Sequence, residues 1–154
     1  MAIRKIVLDP DPVLRKQARE VTDFGPRTQT LIDDLIDTLH HSGNGIGLAS
    51  PQVGVLRRIF VIDMQDEAGV RVFVNPRIIS RKGQQSSTEG CLSIPGYWGE
   101  VERPATVKVQ AQDRQGHPFE LEAEELLAVC ICHENDHLDG VLFTDKVIGE
   151  LVKA

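Results

Sequence analysis

His133-Glu134-Asn135-Asp136-His137 sets two imidazoles four residues apart. On a helix that spacing stands both rings on one face, about 6 Å apart along the axis, where they can grip one divalent ion. Glu134 is turned about 100° from His133 and can reach a water on that ion without ligating it. Two metal ligands and a general base in so short a stretch suit metal-assisted hydrolysis. The bland alternative is a chance match, or two histidines capping a helix C-terminus. Context opposes it: the apolar run Leu126, Leu127, Val129, Cys130, Ile131 leads into the motif. Glu122, Glu124 and Glu125 suit a helix N-terminus, and Gly140 is a natural stop. On the last turns of a buried helix, two unpartnered imidazoles would be costly.

A catalytic metal needs a third protein ligand and an open position. One zinc-protease pattern continues with a histidine at 143, but that position is Phe143. Another draws a glutamate from a following helix, and only Glu150 remains downstream, close to the last residue. The third ligand is therefore sought upstream. Cys91 is the best candidate: it sits in a Gly-flanked segment outside any helical pattern, and a thiolate suits a borderline-soft ion beside imidazoles. Cys130 lies three before His133 on nearly the same face, yet its apolar neighbours favour a small buried hydrophobe. Cys132 points away from His133 and reads as packed or partly exposed. Spacing alone leaves this choice open. It also leaves two rivals standing: an endopeptidase, and a closed structural zinc site of Cys91, Cys130, His133 and His137.

The elements that must position these residues fit one domain over residues 1–154. Hydrophobic residues make up 41% and charged residues 26%, both ordinary for a globular protein. A net charge of −6 gives no reason to expect nucleic acid or an anionic membrane as partner. No apolar run approaches membrane-spanning length, and Met1 to Leu14 resembles neither a signal nor a transit peptide. The expectation is a soluble, cytoplasmic protein. Three cysteines, an odd count without framework spacing, fit a reducing compartment.

Asp11-Pro12 predicts an N-cap and first turn of a short helix to about Ala18. Pro26 opens a second helix whose Leu31, Ile32, Leu35, Ile36 and Leu39 form a core face, with Asp33, Asp34 and Asp37 opposite. Gly43 to Gly54 is not a phosphate loop, since it follows a helix and lacks the Gly-Lys-Ser/Thr ending. It reads as a flexible connector or as backbone that must approach something closely, delivering Gln52 at its end. Strand patterns cover 57–64, 70–74, 77–80, 106–110 and 118–121, with a hairpin turn at Asp113-Arg114-Gln115-Gly116. Mostly antiparallel sheets wrapped around a histidine-bearing helix make an α+β domain.

Three blocks, Gly45-Ile46-Gly47-Leu48-Ala49-Ser50-Pro51-Gln52, Glu89-Gly90-Cys91-Leu92-Ser93 and His133-Glu134-Asn135-Asp136-His137, resemble in order and spacing the signatures of peptide deformylases. The resemblance spans nearly the whole chain. It implies an enzyme that removes the formyl group from the N-terminal formyl-methionine of new polypeptides. It implies Cys91, His133 and His137 as ligands of one divalent metal, usually Fe2+, with Zn2+, Ni2+ or Co2+ able to replace it. Glu134 becomes the general acid/base, and Gln52 and the Leu92 N–H hold the formyl oxygen. The peptide-binding backbone falls on Gly45, Ile46 and Gly47 and on Glu89 and Gly90. The methionine pocket maps to Ile46, Leu126, Val129, Cys130 and His133, with Trp98 at a variable rim position. Ser50 stands where alanine is usual, and Cys132 where glutamine is usual. The sequence stops at Ala154 without the long C-terminal helix of many bacterial members, which leaves ribosome contact by that route unsupported.

Overall fold

The computed structural model describes residues 2–153; Met1 and Ala154, the two ends of the expected 1–154 domain, lie outside the described residues. Its α-helices are α1 (Pro26–Ser42) and α2 (Glu125–Leu138). The strands are β1 (Gly47–Ala49), β2 (Ile59–Asp63), β3 (Val70–Lys82), β4 (Gln85–Cys91), β5 (Ile94–Arg103), β6 (Thr106–Gln112), β7 (Pro118–Glu124) and β8 (Val147–Lys153). They form a five-stranded sheet in the order β1-β2-β3-β6-β7 and a three-stranded sheet in the order β4-β5-β8. Every pairing between these strands is antiparallel, in keeping with the α+β expectation. No helix among the described residues is long and apolar enough to cross a membrane.

Two clusters meet on the five-stranded sheet and explain why Ile59-Phe60-Val61-Ile62 is apolar at every position. Phe60 and Ile62 point one way, into a cluster with Phe73, Val107, Val109 and the α2 residues Ala128 and Ile131. Ile59 and Val61 point the other way, onto Leu31, Ile32, Leu35 and Leu39 of α1. A strand covered on both faces loses the polar alternation of a half-exposed one. Phe60 and Phe73 stack with ring centroids 4.7 Å apart at the centre of the first cluster.

Helix α2 is buried over most of its surface, with Ala128 to Glu134, His137 and Leu138 all buried. It ends as anticipated, with Gly140 in the left-handed region at φ +76°. A Cβ there would come within 2.5 Å of the Arg15 carbonyl oxygen, so the stop also packs against the N-terminal segment.

Several sequence expectations change. The first helix is a 3-10 turn over Pro12–Arg15, capped by the Asp11 carboxylate, and does not reach Ala18. Glu122 and Glu124 belong to β7, which runs directly into α2 at Glu125. The runs 70–74 and 77–80 are one strand with a register shift at Val74/Arg77. There Asn75, at φ +50°, bonds the Val21 backbone through both side-chain atoms at 2.7 and 2.9 Å.

Asp34 is not on a solvent face of α1. It is 3% exposed, and its two oxygens accept from the Ala2 N–H at 2.7 Å and from Arg4 Nε at 2.8 Å, tying the N-terminal segment to the helix. Burial opposes its charge, but the bonds from Arg4 and Ala2 lower its pKa overall. A depressed carboxylate stabilises fully above its unfolded pKa, and that contribution is lost as pH falls through the folded one. Asp34→Asn should cost about 1–2 kcal/mol at pH 7, allowing for the partial exposure of Arg4. The deficit should shrink as the pH drops below the ordinary carboxylate range. Urea unfolding at neutral and acid pH measures both, and a pH-independent deficit would assign the loss to packing.

Candidate metal centre

Two distant segments, the end of β4 and the last turns of α2, converge on one cluster. Cys91 closes β4, at a tight reversal where it pairs with Ile94 across Leu92 and Ser93. His133 and His137 project from α2 with ring centroids 5.1 Å apart. The ligand atoms of Cys91, His133 and His137 all lie within 4.8 Å of one another, the one cluster of that kind among the described residues. Cys91 Sγ is 3.4 Å from His137 Nε2. Cys130 and Cys132 are buried on α2 outside this group; burial is the main cause that pushes the Cys130 thiol up to about 12. At position 143, Phe143 lays its ring nearly parallel to His133 with centroids 6.0 Å apart.

His133 is oriented from behind. Its Nδ1 is 2.8 Å from Glu89 Oε1, which leaves Nε2 for the centre. Glu89 is 5% exposed, and burial alone would raise its pKa. Hydrogen bonds from Arg103 and His133 reverse that and hold it at about 2. Arg103 grips both Glu89 oxygens, from Nε and Nη2, at 2.8 Å each, and reaches Asp136 Oδ2 with Nη1 at 2.8 Å. Ser87 Oγ adds a 2.7 Å bond to Glu89 Oε2, and Lys146 closes on Asp136 at 3.1 Å. Arg103, Ser87 and Asp136 were not singled out from sequence. A lone arginine at the end of a strand carries no local signal of this role.

Gln52, on the 3-10 turn Ser50–Val53, is 1% exposed and pinned at both ends of its amide. Its Oε1 accepts from the Ala49 N–H at 3.0 Å, while Nε2 donates to Ser93 Oγ at 3.1 Å and faces Cys91 Sγ at 3.5 Å. Ser93, fully buried, stands in the second sequence block, where it had been given no role.

Glu134 is 5% exposed, and its Oε1 is buried without a hydrogen-bond partner among the described residues. Burial is the main cause that raises its pKa to about 7, with His133 acting against it. Burial disfavours charge on His133 too, yet the Cys91 and Glu89 bonds win and raise its pKa; His137 is lowered by burial and by its cationic neighbours. One thiolate and two imidazoles suit a borderline first-row divalent ion, so the residues fit a metal.

A cavity of about 450 Å³ opens beside the cluster. Gly45, Ile46, Gly47 and Gln52 line one side, and Glu89, Gly90, Cys91 and Leu92 the other. Leu126, Val129, Cys130, His133 and Glu134 of α2 also line it, and Trp98 lines it from β5. Every site residue anticipated from sequence except His137 faces this space, and His137 joins through the ligand cluster. The Glu89 side chain turns from the cleft to His133 and Arg103.

The polypeptide deformylase family model matches residues 3–151 of this chain. A peptide deformylase of Alkaliphilus metalliredigens is 53% identical over 150 residues, 97% of this chain and 100% of that one. Among solved structures, a peptide deformylase from Legionella pneumophila superimposes with a TM-score of 0.91 at 48% identity, covering 95% of this chain and 86% of that one. The enzyme from Thermotoga maritima gives 0.91 at 38% identity over 96% and 99% of the two chains. A family match over almost the full length, on a fold that gathers the cysteine and the two histidines into one cluster beside a cavity that the glutamate lines, means that the chain belongs to the polypeptide deformylase family.

Proposed function

We propose that this chain, read as one catalytic domain over residues 1–154, is a cytoplasmic metallohydrolase that deformylates nascent polypeptides. It cleaves the amide between the formyl carbon and the methionine nitrogen, releasing formate and a free N-terminus. The observation that carries this reading is the convergence of Cys91, His133 and His137 within 4.8 Å beside the unpartnered Glu134 carboxylate oxygen. These three residues would hold one divalent cation, for which we favour Fe2+ over Zn2+, Ni2+ or Co2+. When bound, the ion supplies a Lewis acid that makes water more acidic near neutral pH.

Glu134 takes the proton of the attacking water as its oxygen adds to the formyl carbon. It then delivers that proton to the methionine nitrogen as the C–N bond breaks. Negative charge develops on the former formyl oxygen, towards which the Gln52 amide and the Leu92 N–H donate. One such donor is typically worth about 3–4 kcal/mol of barrier. The side-chain pocket of Ile46, Leu126, Val129 and Cys130 favours an unbranched, polarizable methionine. An extended peptide gains main-chain hydrogen bonds along Gly45–Gly47 and Glu89–Gly90, which tolerates many sequences downstream.

Formate release from a formyl-methionyl peptide by anaerobically purified protein, with metal assayed on the same sample, tests the reading directly. No release from a metal-loaded sample would refute it. Glu134→Gln should retain the metal and lose most turnover; full turnover would remove Glu134 from its role. Cys91→Ser should weaken or change metal binding, and an unaltered occupancy and spectrum would place the third ligand elsewhere. Gly47 comes so close to Glu134 that a Cβ would lie 2.7 Å from Oε2 and 3.0 Å from Cδ. Gly47→Ala should therefore push the carboxylate aside and cut kcat about 100-fold, the usual order for a displacement near 1 Å. Metal content and melting temperature should stay near wild type, and unchanged kcat would show that Glu134 has room to adjust.

A further inference from the structure

The 3-10 turn Ser50–Val53 follows β1 of the five-stranded sheet, and the Leu92-Ser93 reversal joins β4 to β5 of the three-stranded one. Among the described residues no strand of one sheet pairs with a strand of the other, and no backbone hydrogen bond runs directly from that turn to that reversal. The N-terminal segment joins them instead. The Val7 N–H donates to the Gln52 carbonyl at 2.7 Å, and the Asp9 N–H donates to the Ser93 carbonyl at 2.9 Å. The segment is itself anchored: Val7 packs against the cluster of Leu14, Ile94 and Phe143, and Ala2 and Arg4 hold Asp34 of α1.

Side chains close the same bridge. Gln52 is 1% exposed, and Ser93 is fully buried. Gln52 Oε1 accepts from the Ala49 N–H, and one of the two hydrogens on Nε2 goes to Ser93 Oγ at 3.1 Å. Those two bonds fix the amide plane, so the second N–H has one direction left, from a nitrogen 3.5 Å from Cys91 Sγ. On the functional reading above, on which this inference rests, that second N–H donates to the formyl oxygen. The other donor, the Leu92 N–H, lies one residue before Ser93. How Gln52 sits against Ser93 therefore sets how the two donors converge.

We infer that the segment Val7–Asp9, with the Ser93 it holds, is a positioning element that aims the free Gln52 N–H before substrate arrives. Val7, Asp9 and Ser93 do not line the cavity, so their effect passes through Gln52. A preorganised donor acts as charge develops on the oxygen. Poorer aim therefore lowers kcat and kcat/KM together and leaves KM nearly unchanged. A shift well under 1 Å corresponds to about tenfold, below the roughly 100-fold of a full 1 Å displacement.

The test is formate release from a formyl-methionyl peptide by metal-loaded protein, with metal content and melting temperature measured on the same samples. Val7→Pro removes the N–H that holds the Gln52 carbonyl, and Ser93→Ala removes the acceptor of the first amide hydrogen. Each should lower kcat about tenfold, with KM within about twofold of wild type and the metal retained. Where Val7→Pro does not fold, the α-hydroxy acid analogue of valine at position 7 removes the same N–H and keeps the side chain. Each change is then repeated in Gln52→Ala protein, where no amide remains to be aimed, and should cost less than about twofold further. A merely structural role would lower kcat by the same factor in both backgrounds, in step with the melting temperature. That result overturns the inference, as does an unchanged kcat in the Gln52 protein. Wild-type protein that releases no formate would instead strike the functional reading beneath it.

Discussion

A helix buried over most of its surface still has to present two imidazoles and a carboxylate to the candidate metal centre. Desolvation works against each of them, and the structure answers with one chain of charge-assisted bonds. Arg103 holds Glu89, and Glu89 holds His133. Without the guanidinium, burial would drive Glu89 towards its neutral form, and His133 Nδ1 would lose its fixed anionic acceptor. A buried ion pair adds little net stability, but it defines one geometry well, and a candidate metal ligand needs that more than stability. The same economy appears at Gln52, whose amide is tied down at its oxygen and its nitrogen.

The two sheets are arranged around this requirement. One face of the five-stranded sheet covers α2, the other face covers α1, and the three-stranded sheet brings β4 alongside the ligand-bearing turns. The cleft lies where two unpaired sheet edges, β1 and β4, come to the same opening with α2 between them. Unpaired edges are a liability in most proteins. Here they border the cavity, where an extended chain can use them.

The apolar elements were readable because their burial leaves a period. The face of α1, the run in β2 and the end of α2 at Gly140 all appear as expected. Strands β4, β5 and β8 were not. Gln85-Ser86-Ser87-Thr88-Glu89-Gly90 contains no apolar alternation, and it is a strand because β5 pairs with it and Arg103 satisfies its buried carboxylate. In β8, Ile148, Leu151 and Val152 remain exposed, so their pattern describes no core. Asp34 looked like a surface residue because three aspartates cluster on one stretch of helix, and only the approach of Ala2 and Arg4 buries it.

From residue order alone came the ligand pair at helical spacing, the base beside it, a short set of cysteines to choose from and, through three blocks together, the family. Those features are local: a helix turn dictates where residues four apart must stand, whatever surrounds it. The sequence already preferred Cys91 over Cys130, but the meeting of Cys91 with the two histidines, the turning of Glu89 to His133, the clamp of Arg103 and the Trp98 indole lying on Gly90 were decided only by tertiary structure. Each joins atoms from different strands or from a strand and a helix. No spacing along the chain encodes such meetings, because they depend on strand register and on which sheet edge each segment reaches.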